Sequence, residues 1–243
     1  MVAIFENKGI EQILGSRRAP AFDALAARGV LYTRSYAVTH PSQPNYLALF
    51  SGSTQGVSDD SCPHTFPAAP NLARQLLDAG RTFTGYAEDL PSATFAGCSH
   101  EGYARKHAPW TNFANLPPTV AEPFSAFPTD FTALPSVAFV VPNLCHDMHD
   151  CSIAAGDAWL SDHLGAYATW AQTHRSLLIV TFDEDDSAGP NQIATIIVGQ
   201  GVATAHDNTT IDHYTVLRTI ETCFGLPSLG IAAARTALAD ICP

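Results

Sequence analysis

Four consecutive carboxylates, Asp183 to Asp186, follow the apolar run LLIVTF, and another acid, Glu6, follows VAIF with Asn7 beside it. Acids this dense repel one another unless a proton or a cation intervenes, and hard divalent ions are bound by carboxylate and carbonyl oxygens. A solvated acidic loop is the ordinary reading of such a run. A fully apolar strand leading into it, matched by Glu6 at another strand end, favours metal binding instead. In THPSQPNYLALFSG, residues 39 to 52, Ser42 stands between Pro41 and Pro44 in front of an apolar run. Pro44 suits the first turn of a helix, which puts Ser42 at or just before the N-cap. A hydroxyl there is either a plain cap or sits among free backbone N–H groups that hold a phosphate dianion. Beside a bound metal, such a hydroxyl can attack phosphorus. CHDMHDC, residues 145 to 151, has the residue types of a zinc site in Cys145, His146, His149 and Cys151, but its spacing is too tight for the usual finger patterns. A loop closed by a Cys145–Cys151 disulfide, presenting Asp147 and His149 inward, fits better.

These groups lie far apart in the chain, so the elements between them must bring them together. Short apolar runs at 2–5, 30–38, 82–88, 137–142, 177–183 and 194–199 alternate with alanine-rich stretches of helical spacing. Glycine closes the helical stretches DALAARG and RQLLDAG, a common C-terminal stop. Continuous apolar strands alternating with helices predict a single α/β domain over 1–243: a central, mostly parallel sheet with helices on both faces. Ligands of open α/β sheets sit at the carboxyl ends of the strands. Those ends here deliver Glu6 and Asn7, then Thr39, His40 and Ser42, then Asn143 to Asp150, then the four acids from Asp183. Residues 108–136 break the alternation with six prolines among scattered aromatics. They predict an ordered irregular excursion, either a lid beside the site or a structural connector.

The chain of 243 residues is 46% hydrophobic and 14% charged, which is globular composition, and its net charge of -11 argues against nucleic acid or an anionic bilayer as an electrostatic partner. No apolar run approaches the roughly 20 residues that span a bilayer. Only VAIF precedes the first polar cluster, short for a strand of about five or six residues, and the expectation is that Met1 stands where a leader was removed. Six cysteines suit three disulfides in an oxidising compartment, with free buried thiols as the alternative. Proximity favours Cys62–Cys98, Cys145–Cys151 and Cys223–Cys242 among the fifteen pairings.

With FENKG, HPSQPNYLALFSG, YAEDLP, YARKHAPW, VPNLCHDMHDCSI, TFDEDD and DHYTVLRTIE in order along the chain, the sequence resembles the phosphoesterase family of bacterial acid phosphatases and phospholipases C. The resemblance implies an alkaline-phosphatase-like fold and a secreted enzyme acting on phosphate monoesters, phosphatidylinositol 3-phosphate among them. It implies Ser42 as nucleophile and Asn45, three residues on, as a contact to a phosphate oxygen. Glu6, Asn7, Asp183 and Glu184 match the metal-holding acids and amide, with Asn7 also near the phosphate. His107 and His149 match histidines beside the phosphate, where either would protonate the leaving oxygen, and Asp147, in the loop of His149, is counted with Asn45 and Asn7 as substrate-binding. His213 resembles a late metal-ligating histidine of the wider superfamily. The Asp-His-Gly motif of two-zinc members is absent. The oxygen-rich set favours Mg²⁺, Ca²⁺ or Mn²⁺ over zinc without fixing the metal's identity or number. Other readings are a phospholipase C-type phosphodiesterase, a metal-independent carboxylesterase using Thr54 in GSTQG as nucleophile, and a cation or headgroup binder without turnover. Oligomeric state is not readable.

Overall fold

The computed structural model describes residues 1–243. Its strands are β1 (Val2–Phe5), β2 (Val30–Tyr36), β3 (Phe83–Ala87), β4 (Ser99–His100), β5 (Tyr103–Ala104), β6 (Ala121–Pro123), β7 (Val137–Val141), β8 (Leu177–Phe182), β9 (Gln192–Gly199) and β10 (Ala205–Asp212). Eight of them form one sheet in the order β10-β2-β9-β8-β1-β7-β3-β6, and β4 pairs only with β5. β9 runs antiparallel to both of its neighbours, and every other pairing in the large sheet is parallel. The expected mostly parallel α/β sheet is therefore present.

The helices are α1 (Ile10–Ile13), α2 (Pro20–Ala26), α3 (Ser42–Ser51), α4 (Leu72–Asp78), α5 (Ile153–Trp159), α6 (Gly165–Ala171) and α7 (His213–Phe224). Because strand side chains alternate, Val2 and Ile4 of β1 join a core with α3, α4 and α7. Ala3 and Phe5 join the opposite core with α1, α2, α5 and α6. The central strands are buried on both faces, which explains their unbroken apolar runs.

Three local features differ from expectation. Gly29 follows α2 at a distance and is not its left-handed stop; a Cβ there would lie 2.1 Å from the Ile197 carbonyl oxygen, so glycine lets the chain pass β9. β10 is an edge strand, largely exposed and polar, so it carries no apolar run. Residues 108–136 contain buried Trp110, Phe113, Val120 and Ala121 and add β6 to the far edge of the sheet. Beyond β6, Phe124 and Phe131 pack on Trp159, Tyr167 and Trp170 along the α5–α6 face. All three expected disulfides form, and no cysteine is free. No helix is long and apolar enough to cross a membrane.

Candidate active site

Ser42 is the first residue of α3, with Pro41 at the N-cap, one step further into the helix than its spacing predicts. Its side chain does not cap the helix. Instead Oγ points its single proton between Glu6 Oε2 at 3.0 Å and Glu184 Oε1 at 3.3 Å. The free N–H of Gln43 is met by Asp60 Oδ1 at 2.9 Å, and the other oxygen of Asp60 accepts from Lys106 Nζ at 2.7 Å. Asp60 thus meets one free N–H of the helix end, and the serine hydroxyl is left for other partners.

Asn45 is buried, and its amide is fully spent on the turn ahead of Ser42. Oδ1 accepts from the N–H groups of Val38 and Thr39 at 2.9 and 3.1 Å, and Nδ2 donates to the carbonyls of Thr39 and Pro41 at 2.8 and 3.2 Å. In this structure it shapes the approach to Ser42.

Glu6 lies just past β1. Asn7 then turns at a φ of 55°, in the left-handed region that asparagine tolerates, so its N–H meets Asp183 Oδ1 at 3.0 Å and Nδ2 meets Glu6 Oε2 at 3.2 Å. The other Glu6 oxygen accepts the Tyr46 hydroxyl and lies 3.3 Å from His107 Nε2. His107 stacks on Tyr46 with centroids 5.2 Å apart, and its Nδ1 is 3.2 Å from Asp147 Oδ2. Asp147 is held by the Glu6 N–H on its carbonyl and by the His149 N–H on Oδ1, both at 2.8 Å.

Glu6, Asp147, Asp183 and Glu184 are at most 5% exposed. Burial, then Asp183 and Asp147, raise the Glu6 carboxyl well above the usual range. Burial foremost pushes Asp147, Asp183 and Glu184 each up to about 7. Burial also drives His107 well below its usual value and lowers His213. Neutral imidazoles among crowded carboxylates make a deficit of positive charge that a divalent cation would relieve. Asp183 Oδ2, Asp147 Oδ2, His107 Nε2 and His213 Nδ1 are buried without a hydrogen-bond partner; the short His107 contacts lack hydrogen-bond alignment. Orphaned lone pairs of this kind fit a bound cation.

Glu6, His107 and His149 each bring a donor atom to one place, all within 4.8 Å of one another. This group joins one residue predicted as a metal ligand to two predicted beside the phosphate. His213 is outside that group; its Nε2–H donates to the Asp183 carbonyl at 2.7 Å, steadying the acid's backbone. Sequence reasoning gave no role to four residues at this rim. Tyr46 is one helical turn beyond Ser42, on the same face, which was a readable signal. His40 places Nδ1 2.6 Å from Glu184 and Nε2 3.4 Å from Asp185. Lys106 and Asp60 form the pair described above, and only the position of Lys106 beside His107 hinted at it.

His146 turns away to Glu88 at 2.9 Å, and the Cys145–Cys151 disulfide removes the thiolates a structural zinc would need. Thr54 follows α3 in a turn, whereas a nucleophile elbow requires a strand before it and a helix after it. A cavity of ≈ 620 Å³ opens beside Val2, Val137 and Leu177 at the amino ends of the strands, opposite to this rim.

The phosphoesterase family model matches residues 12–227. A phosphatidylinositol-3-phosphatase of Mycobacterium tuberculosis is 50% identical over 243 residues, 99% of this chain and 81% of that protein. An acid phosphatase of Aspergillus fumigatus is 32% identical over 227 residues, and the match spans 85% of this chain but only 51% of the fungal protein. Among solved structures, a protein in the alkaline phosphatase superfamily from Vibrio parahaemolyticus superposes with a TM-score of 0.64 at 13% identity, covering 99% of this chain and 70% of that one. The superposition establishes the shared α/β architecture, and the extent and identity of the sequence matches establish descent: the chain belongs to the phosphoesterase family.

Proposed function

We propose that the chain is a secreted, metal-assisted phosphatase that cleaves phosphate monoesters through Ser42. The observation that carries this reading is the Ser42 hydroxyl set between two buried carboxylates at the head of α3 instead of capping it. Ser42 Oγ attacks phosphorus in line, the alcohol leaves, and water later releases phosphate from the serine. A divalent cation on Glu6, Asn7, Asp183 and Glu184 would lower the serine's pKa and neutralise phosphoryl charge. Glu6 and Glu184 share the hydrogen bond that the hydroxyl donates in the resting state, and Asn45 fixes the turn that aims it. His149 is the candidate to protonate the leaving oxygen, while His107, kept neutral by burial and held by Asp147 and Tyr46 against its ring, presents a lone pair on Nε2.

The three disulfides support a protein matured in an oxidising compartment. The 50% identity to a phosphatidylinositol-3-phosphatase supports a phosphoinositide headgroup as the monoester. The test is turnover of p-nitrophenyl phosphate and of its bis-ester by the parent and Ser42→Ala, with and without chelator. Monoester turnover lost on chelation, restored by added cation and abolished in a folded Ser42→Ala protein is expected. Full activity in that variant would overturn the nucleophile, and preference for the diester would indicate a phosphodiesterase.

A further inference from the structure

We propose that Glu6, His107 and His149 form a second cation position, suited to a borderline divalent metal such as Zn²⁺ or Co²⁺, which shares Glu6 with the oxygen-rich position.

The two oxygens of Glu6 face different company. Oε2 is bound by Ser42 and Asn7, on the side of Asp183 and Glu184. Oε1 faces His107 Nε2 at 3.3 Å. The rings of His107 and His149 stand 5.8 Å apart, tilted by 48°, and both offer a ligand atom to the same small volume as the carboxylate. His149 has a carboxylate oxygen hydrogen-bonded at Nδ1, Asp150 Oδ1 at 2.7 Å, and Asp147 Oδ2 lies 3.2 Å from His107 Nδ1 without hydrogen-bond alignment. On His149 the Asp150 hydrogen bond leaves Nε2 as the free nitrogen, the carboxylate–histidine–metal pattern of ligated sites. His107 Nε2 is buried and has no hydrogen-bond partner. His149 is exposed, with 31% of its side chain accessible, and gives an ion a way in.

Two imidazoles and one carboxylate are the donor set of an open borderline-metal site, with a further position free for water or a phosphate oxygen. Mg²⁺ and Ca²⁺ prefer the neighbouring oxygens, so the two positions select different ions. An ion shared by His107 and His149 occupies the His149 nitrogen that proton transfer to a leaving group would need. Zn²⁺ is therefore expected to inhibit an enzyme that the hard cation activates.

The inference goes beyond the phosphatase reading and is tested by metal binding, not turnover. The intact chain in excess Mg²⁺ is titrated with Co²⁺ and followed by visible absorption. Expected are the intense bands of a low-coordinate, nitrogen-ligated ion, unaffected by Ser42→Ala. The affinity falls about 10- to 100-fold in Asp150→Asn, through loss of the carboxylate behind His149, and the bands vanish in His149→Ala. Absence of the bands, their displacement by Mg²⁺, or equal bands in His149→Ala would overturn the second position. If Ser42→Ala stays active while the bands still depend on His149, the phosphatase mechanism fails and the second position stands.

Discussion

The Ser42 hydroxyl lies 3.0 Å from Glu6 Oε2, joining the first turn of α3 to the end of β1 across 36 residues of sequence. Glu6 is wholly buried, and its carboxyl is raised by burial and by Asp183 and Asp147. The arrangement strains the metal-free protein and prepares the serine. Glu6→Gln is therefore expected to cut kcat by about 100-fold or more while raising the melting temperature in chelator by a few degrees, about 1 kcal/mol. Parallel turnover and calorimetry would check it, and a lowered melting temperature would contradict the strain.

Cation binding to this crowd should stabilise the fold. At a concentration of roughly 100 times its Kd, a bound ion contributes about 2.7 kcal/mol. Thermal unfolding with and without Mg²⁺ or Ca²⁺ should show that rise in the parent and little of it in Asp183→Asn, whose Oδ2 has no partner of its own.

Asn45 makes four hydrogen bonds to the backbone of residues 38 to 41. Asn45→Ala leaves two N–H donors unmet, at a cost of roughly 2–4 kcal/mol. Stability and kcat should fall together, because the turn that aims Ser42 loosens. A loss confined to KM, with unchanged melting, would point to a direct phosphate contact instead.

The Cys145–Cys151 bond closes the loop that carries Asp147 and His149, and Lys8 Nζ holds the Met148 carbonyl at 3.0 Å within it. Replacing both cysteines with serine is expected to cost about 2 kcal/mol and about tenfold in kcat, as Asp147 and His149 lose their fixed approach to His107. Activity and unfolding of the double variant measure both effects.

Glu221 is buried in α7, where Oε1 accepts the Leu229 N–H at 2.7 Å and Oε2 has no hydrogen-bond partner, with Arg218 Nη1 3.8 Å away. Burial raises its carboxyl to about 7, the Leu229 hydrogen bond and Arg218 opposing. A carboxyl raised above its unfolded value stabilises the fold below that unfolded value and loses the contribution as pH climbs through about 7. Glu221→Gln keeps the acceptor and removes the titration. The variant should match the parent near pH 4.5 and melt several degrees higher near pH 7.5.

Much of the architecture was legible because β1, β7 and β8 are covered on both faces and so must be apolar throughout. β10 was not, because it lies at an open edge and its eight residues are mostly solvated. The antiparallel course of β9 was hidden as well, since an apolar strand reads the same in either direction. Gly29 shows the opposite limit: the residue type was visible, but its reason is the neighbouring Ile197 carbonyl, which no local pattern contains.

By itself the sequence determined that Glu6, Ser42, Asp147 and Asp183 reach one rim, because side chains after parallel strands share the carboxyl edge of the sheet. Proximity along the chain favoured the three cysteine pairs that form, while fifteen pairings stayed open until the structure brought the residues together. Only the tertiary structure decided which atom faces which. The split of the Glu6 oxygens, the turn of Asn45 onto its own backbone, and the meeting of His107 with His149 depend on how α3 and the Arg105–His107 turn dock on the sheet. Strand order sets position to within a few residues; hydrogen bonding is decided over tenths of an ångström, by packing between segments far apart in the chain.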